Sequence, residues 1–169
     1  MTEKPVLERF LSTLAVVARE ERHLLFSRQR VFHEPIDADW VRSLEEQPEK
    51  AERLEAFVSK FGRTQDTITA KLLPRWLMAK AEEPGTQLEV LNRAERLGVL
   101  ESAERWLEAR ALRNRLVHEY MEDPEAFAQD LCLAEQYCYL LVDTYHRILG
   151  FGVHRMKIAG HRLPDEAIG

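Results

Sequence analysis

Apolar residues recur every three or four positions along most of the chain, which is the spacing of a helix with one buried face. The pattern predicts a first helix over about Val6 to Phe32, whose stripe contains Leu7, Phe10, Leu11, Leu14, Val17, Leu24 and Leu25. No segment shows the two-residue alternation with β-branched residues that is typical of strands. The chain is therefore predicted to be all-α.

Capping residues, prolines and glycines divide the rest of this pattern into helices. Pro35 ends the first helix, and Pro74 is expected to kink a later long one, because proline removes a backbone donor and crowds the carbonyl four residues earlier. The helices expected after the first are Trp40 to about Glu46, with Asp39 as cap; Pro48 to Pro84; Gln87 to Leu97, after Thr86; a helix from Ser102 to about Tyr120; and Glu125 to Leu149.

These elements predict an antiparallel, up-and-down bundle of long helices with one or two short helices inserted. Residues 1–149 are expected to form this single helical domain. Residues 150–169, which include four glycines and a proline, are expected to form a flexible basic tail.

Composition supports one helical domain and limits the classes of function. The chain has 169 residues, of which 45% are hydrophobic and 31% charged, with seven Gly and seven Pro. It lacks an apolar run of about 20 residues and a signal-peptide pattern, so we expect a cytoplasmic protein that does not enter a membrane. The net charge of −5 argues against a general polyanion binder, so any contact with RNA must use a local basic patch.

The segment 113–120, RNRLVHEY, combines a guanidinium, an imidazole and a phenol on one helix. At about 100° per residue, one face of this helix is polar and expected to be solvated; it contains Glu104, Arg105, Glu108, Arg115 and Glu119. The remaining arc is expected to face the core or a partner, and among its apolar residues it carries Arg110, Arg113, Asn114, His118 and Tyr120. Cations in such surroundings are costly unless they are paired, hydrated or functional, so the arc predicts a site.

Arg113 and His118 are five residues apart and therefore about 140° apart around the helix. A single helix does not bring their tips together easily. A second copy of the helix, packed across a two-fold axis, can bring arginines and histidines of both chains into one cleft. In the structural alternative, Arg113 forms a buried salt bridge with another helix, His118 caps carbonyl groups and Tyr120 belongs to the core.

The spacing Arg-x4-His-x-Tyr resembles the motif of HEPN-domain ribonucleases, specifically HepT-like toxins that pair with a nucleotidyltransferase antitoxin of the MntA type. The segment 61–73, FGRTQDTITAKLL, is also similar to a helix of several HEPN relatives that carries Phe-Gly-Arg, Gln-Asp and Lys-Leu-Leu. The resemblance covers about residues 50 to 150, and the octapeptide is its specific element.

The resemblance implies a metal-independent endoribonuclease, without a cofactor, that acts as a homodimer on RNA. It makes Arg113 and His118 the catalytic pair, with Asn114 as the polar residue that follows the arginine. Arg110, on the same arc, is expected to support the site. The resemblance also makes Tyr120 the residue that the antitoxin modifies with AMP, which silences the enzyme.

Three further possibilities stay open. Arg147, Arg155 and Lys157 lie in a stretch near the C-terminus that can guide RNA to the site or can be a solvated tail. The chain can instead be a noncatalytic subunit that accompanies a small nucleotidyltransferase. A helix-turn-helix DNA binder is disfavoured, because the arginines of the two candidate helices are offset by glutamates.

Overall fold

The structure, a computed structural model, describes residues 3–118 and 122–164. Its helices are α1 (Glu3–Val31), α2 (Ala38–Arg42), α3 (Pro48–Thr67), α4 (Leu73–Ala79), α5 (Gln87–Arg96), α6 (Ala103–His118) and α7 (Pro124–His154). A π-helical segment, Ile68–Leu72, joins α3 to α4, and 3₁₀ turns cover Ser43–Glu46 and Gly160–Arg162. No strand occurs among the described residues, which confirms the predicted all-α class.

The long helices pack antiparallel in two pairs. Thr13 and Glu20 of α1 contact the side chains of Arg75 and Thr67, so residue numbers rise along one helix as they fall along the other. The α6–α7 pair runs the same way: Arg115, Glu108 and Trp106 bond to Asp130, Tyr137 and Thr144. The predicted antiparallel arrangement of long helices therefore describes both pairs.

One hydrophobic core lies between these pairs. It is built from large side chains of α1, α3, α4, α6 and α7, including Phe10, Phe57, Trp76, Trp106 and Tyr145. Within this part of the chain, no helix is both long and apolar enough to cross a membrane.

Local signals set most of the helix ends. Thr86 and Glu89 form a reciprocal capping box at the start of α5, and Gly98 has a φ of +77° just after its end. Pro48 occupies the first turn of α3 as predicted. The predicted cap of α2 was wrong, because Asp37 and not Asp39 accepts the bond from the Trp40 N–H, 2.8 Å away.

The interruption expected at Pro74 begins one turn earlier, in the π-helical segment. Here the Leu73 N–H donates to the carbonyl of Ile68, five residues back. Pro74 has no N–H and its ring crowds the carbonyl of Ala70, so a wider turn before it accommodates the ring better than a regular α-helical turn. The segment lies in the middle of the bundle and changes which residues of this long helix face outward.

The last helix continues past the predicted boundary at Leu149 and ends at His154. Gly152 is buried, and a Cβ placed there would lie 3.6 Å from Ile158 and 3.7 Å from Leu163. These two residues bring the segment after α7 back against the helix, and Ile158 is buried. The glycines therefore do not end the helix at 150, and the returning chain packs beside Gly152 at an ordinary van der Waals distance.

Candidate active site

A cleft of ≈ 730 Å³ lies between α3 and the C-terminal half of α6. Its walls carry the cations Arg63, Lys71 and Arg113 and the carboxylates Glu55 and Asp66. The remaining lining side chains are mostly apolar or small: Leu54, Val58, Ser59, Gly62, Thr67, Ala70, Leu116 and Val117. The π-helical segment contributes Ala70 and Lys71. The two sequence segments that carry the family resemblance therefore meet in this cleft.

Arg113 lies at the cleft with its guanidinium held by α3. Its Nη2 donates to Asp66 Oδ2 over 3.2 Å, and its Nη1 donates to Asn114 Oδ1 over 3.4 Å. The Arg113 side chain is 35% exposed and that of Asp66 is 59% exposed. An ion pair this open to water contributes little stability, about 0–1 kcal/mol, so the guanidinium stays available to another anion.

Gly62 makes this position of Arg113 possible. A Cβ on Gly62 would lie only 2.7 Å from Arg113 Nε and 3.3 Å from its Cγ. Any other residue at 62 would therefore force the arginine away from α3. Glycine inside a helix costs about 1 kcal/mol relative to alanine, so its presence here is explained by the close approach of Arg113.

Gln65 fixes the contact of α3 with α6 one turn before Arg113. Its side chain is buried, and its Nε2 donates to the carbonyl of Ala109 over 3.2 Å. The sequence assigns no individual role to Gly62, Gln65 or Asp66, although all three belong to the Phe-Gly-Arg and Gln-Asp pattern. The glycine inside a helical pattern was the signal that could have identified this contact surface.

The structure corrects the predicted buried face of α6. The buried stripe consists of Ala103, Trp106, Ala109, Leu112 and Leu116. Leu107 and Val117 are 42% and 53% exposed, and Arg110 and Asn114 are exposed as well. On the arc of α6 that was expected to face the core or a partner, the residues that are buried or half-buried are Ala103, Trp106, Ala109, Arg113 and Leu116. The other described residues of this arc face solvent.

The other charged residues of α6 serve different contacts. Arg110 does not line the cleft, because its Nη1 bonds to Gln87 Oε1 of α5. Arg115, predicted to be a solvent-facing bystander, bonds through Nε and Nη2 to both carboxylate oxygens of Asp130, each 3.1 Å away. Arg115 therefore ties α6 to α7, whereas Arg113 remains with the cleft.

His118 is the last residue of α6, four and five residues after Asn114 and Arg113. The backbone therefore places it one turn beyond them, at the end of the same helix. The His118 side chain and residues 119–121, which include Tyr120, lie outside the described part of the structure.

The structural alternative for Arg113 is correct in one respect and wrong in another. Arg113 does form a salt bridge with a carboxylate of another helix, but the pair is not buried. Both partners line the cleft, where they are accessible to a ligand.

The basic stretch near the C-terminus is not brought to the cleft. Arg147 pairs with Asp143 over 2.8 Å and donates to the carbonyl of Gly98 over 3.3 Å. At the cleft end of α6, Arg115 contacts Asp130 of α7. Asp130 and Arg147 are about 25 Å apart along α7. Arg155 lies beyond that, over the ring of Phe151, and the exposed Lys157 follows it. These residues lie at the opposite end of the bundle.

A buried carboxylate, Glu21, follows the α1 residue that contacts the cleft wall. Thr67 Oγ1 lies 3.0 Å from Glu20 Oε1, and the neighbouring Glu21 is wholly buried with neither carboxylate oxygen bonded to a described residue. Burial, and then the charge of Glu20, hold the pKa of Glu21 well above its usual range. The thiol of Cys138 is also buried, and burial raises its pKa to about 12. Glu21 therefore favours its neutral form in the folded chain.

Replacing Glu21 with leucine is expected to raise the free energy of unfolding at pH 7 by about 1–3 kcal/mol, the cost of a buried group without a partner. Because the pKa is higher in the folded than in the unfolded chain, the parent loses stability as pH rises from the unfolded pKa through the folded one. The gain should therefore be larger at pH 7 than at pH 4. Urea unfolding at both pH values measures this gain in the free energy of unfolding. A leucine variant that is less stable than the parent at pH 7 would contradict this account of Glu21.

No family model, curated protein or solved structure matches this chain. The resemblance to HEPN ribonucleases thus rests on the residues of the two segments.

Proposed function

We propose that the chain is a metal-independent endoribonuclease of the HEPN type, a HepT-like toxin whose site is built around Arg113 and His118. The observation that carries the proposal is the environment of Arg113. Gly62 gives it room and Asp66 orients it at an open cleft, on the helix that also bears His118. The two segments that carry the resemblance are about 50 residues apart in the sequence, and both contribute residues to this one cleft.

The proposed reaction needs a proton acceptor, a proton donor and a cation. A histidine takes the proton from the ribose 2′-hydroxyl as its oxygen attacks phosphorus, and the bond to the 5′-oxygen breaks. The leaving 5′-oxygen receives a proton from a histidine, which yields a 2′,3′-cyclic phosphate and a 5′-hydroxyl. The forked guanidinium of Arg113 stabilises the charge that accumulates on the phosphate oxygens.

Product chemistry tests this reaction. Incubation with RNA should yield 2′,3′-cyclic phosphate ends at the same rate with excess EDTA as without it. Cleavage that requires added Mg²⁺, or that leaves 5′-phosphate ends, would contradict the proposed mechanism.

We expect the complete site to use two copies of the chain. Leu107 and Val117 are exposed on the arc of α6 that carries Asn114, and Val117 also lines the cleft. An apolar face next to a site is a suitable surface for a two-fold contact, in which each α6 meets its own copy. Such a contact brings His118 of one copy toward Arg113 of the other.

Replacing Leu107 and Val117 together with glutamate is expected to convert dimers to monomers, because four like charges would meet at the two-fold contact. Sedimentation velocity at micromolar concentration measures the change. Glutamate at the exposed Leu88 and Val153 provides the control, since these side chains lie on α5 and α7. A double variant at 107 and 117 that remains dimeric would exclude this face as the interface.

Modification of Tyr120 by a partner nucleotidyltransferase would provide the regulation that the resemblance implies. AMP on a residue two positions after His118 adds an anion that competes with substrate phosphate. After coexpression with a nucleotidyltransferase encoded beside this chain, mass spectrometry should find the adduct on Tyr120 and none in a Tyr120→Phe variant. An unmodified Tyr120 would exclude this form of control.

The alternative is a noncatalytic subunit that binds a small nucleotidyltransferase. The pairing of Arg113 with Asp66 is the observation on its side, because it also gives Arg113 a structural role in joining α6 to α3. The His118→Ala variant separates the two functions. If the chain is an enzyme, the variant loses RNA cleavage and growth inhibition. If the chain is a binding subunit, the parent shows no cleavage and the variant keeps its affinity for the partner.

A further inference from the structure

The solvent face of α1 is cationic over three turns. Between residues 12 and 30, the exposed positions of this helix are Ser12, Arg19, Arg22, His23, Phe26, Gln29 and Arg30. At about 100° per residue, the exposed residues between positions 19 and 30, apart from Gln29, fall within roughly 100° of arc around the helix. We call Arg19, Arg22, His23, Phe26 and Arg30 the α1 stripe.

The arginines of the α1 stripe have no carboxylate partner among residues 3–118 and 122–164, whose ion pairs involve other arginines and two lysines. The two glutamates of this part of α1, Glu20 and Glu21, are half-buried and buried. Three unpaired guanidinium groups on one face are notable in a chain whose net charge is −5. Their mutual repulsion is relieved by a bound polyanion.

Phe26 gives the stripe an aromatic ring among these charges. The ring is 59% exposed, and the Arg30 guanidinium carbon lies 5.6 Å from its centre. A large exposed ring has no role in the core of this bundle. Next to cations, it offers a surface on which a base can stack while the arginines bind flanking phosphates.

The stripe lies one helix away from the cleft. Glu20, between Arg19 and Arg22, reaches Thr67, which lines the cleft wall, and packed helix axes are about 8–10 Å apart. Arg63, exposed on α3 and also lining the cleft, lies one turn before Thr67. The helix that packs against α1 thus carries an exposed cation of the cleft.

We infer that the α1 stripe binds single-stranded nucleic acid, with phosphates on its arginines and a base on Phe26. A duplex hides the faces of its bases, and an acidic peptide would use the arginines without requiring the ring. Delivery of the strand to the cleft as substrate rests on the proposed function, whereas binding by the stripe does not.

Fluorescence anisotropy with a labelled oligodeoxythymidine strand tests the binding on the whole chain, since DNA lacks the 2′-hydroxyl and cannot be cleaved by the proposed reaction. The double variant R22Q/R30Q should bind at least about tenfold more weakly, and the slope of log K against log salt should fall by about 1.4, for two lost phosphate contacts. Phe26→Ala should weaken binding about fivefold or more and leave the salt slope unchanged.

The control variant R96Q/R105Q removes two exposed arginines of α5 and α6 and should leave affinity near that of the parent. Equal losses for both double variants, or strand binding that is unaffected by R22Q/R30Q, would overturn the inference. The inference would also be overturned if an acidic peptide displaced the strand and bound the Phe26→Ala variant as tightly as the parent. Strand binding through the stripe without any RNA cleavage would leave the inference standing and count against the proposed enzyme.

Discussion

Replacing His118 with alanine is expected to lower the rate of RNA cleavage by about 10²–10⁴-fold, which is the usual contribution of a positioned acid or base. The imidazole is the only group proposed here to move protons, so no other side chain of the segment replaces it. Rates at saturating RNA, with circular dichroism melting of the same samples, separate loss of chemistry from loss of fold.

His154→Ala is the matched control for this experiment. His154 also ends a helix, but it is exposed at the end of α7, away from the cleft. Its removal should change the cleavage rate by less than about twofold, within the usual effect of an exposed substitution. Equal activity of the His118 and His154 variants would show that His118 takes no part in the reaction.

Replacing Gly62 with alanine is expected to stabilise the chain and yet inactivate it. Alanine favours a helix interior by up to about 1 kcal/mol relative to glycine. The added methyl group would meet Arg113 Nε at 2.7 Å, and the arginine, which is flexible, would move away at little cost in stability. Displacement of a reacting group by about 1 Å can cost about 100-fold in rate, so we expect a loss of that size.

Gly150→Ala provides the comparison, because Gly150 lies within α7 and a Cβ there meets no atom within 4 Å. It should give a similar gain in stability with unchanged cleavage. Urea unfolding and cleavage rates of both variants decide the matter. Full activity of Gly62→Ala would mean that the position of Arg113 against α3 is not needed.

The helices could be predicted from the sequence because their ends depend on local chemistry. Thr86 with Glu89, Pro48 and Gly98 act within one turn of their own positions, so the pattern of residue types was enough. The end of α7 was missed because the chain returns against the helix through the buried Ile158, a contact that no local signal contains.

The face of α6 was predicted less well, for a physical reason. Its apolar residues are distributed all round the helix, so periodicity did not identify the side that is buried. Leu112, which falls at the angle of the polar face, is wholly buried, whereas Val117, on the arc expected to be buried, is half exposed. Contacts with other helices, among them those of Gln65 on α3 and Asp130 on α7, determine how the helix is rotated.

The candidate site was predicted in part. Arg113 is at a cleft and Asn114 bonds to it, but Arg110 belongs to the contact with α5. The roles of Gly62 and Asp66 depend on a helix about 50 residues earlier in the chain, so the octapeptide alone could not show them. The π-helical segment that brings Lys71 to the cleft results from Pro74 together with the packing around it.

The central claim is that the octapeptide supplies half of an active site and that a second copy supplies the other half. Complementation tests it most directly: inactive Arg113→Ala and inactive His118→Ala chains are mixed, allowed to exchange subunits, and assayed for RNA cleavage. Half of the dimers are then mixed, and each retains one intact arginine and one intact histidine on different copies, so we expect about a quarter of the parent activity. A mixture that forms mixed dimers but cleaves no faster than the two variants separately would contradict the claim.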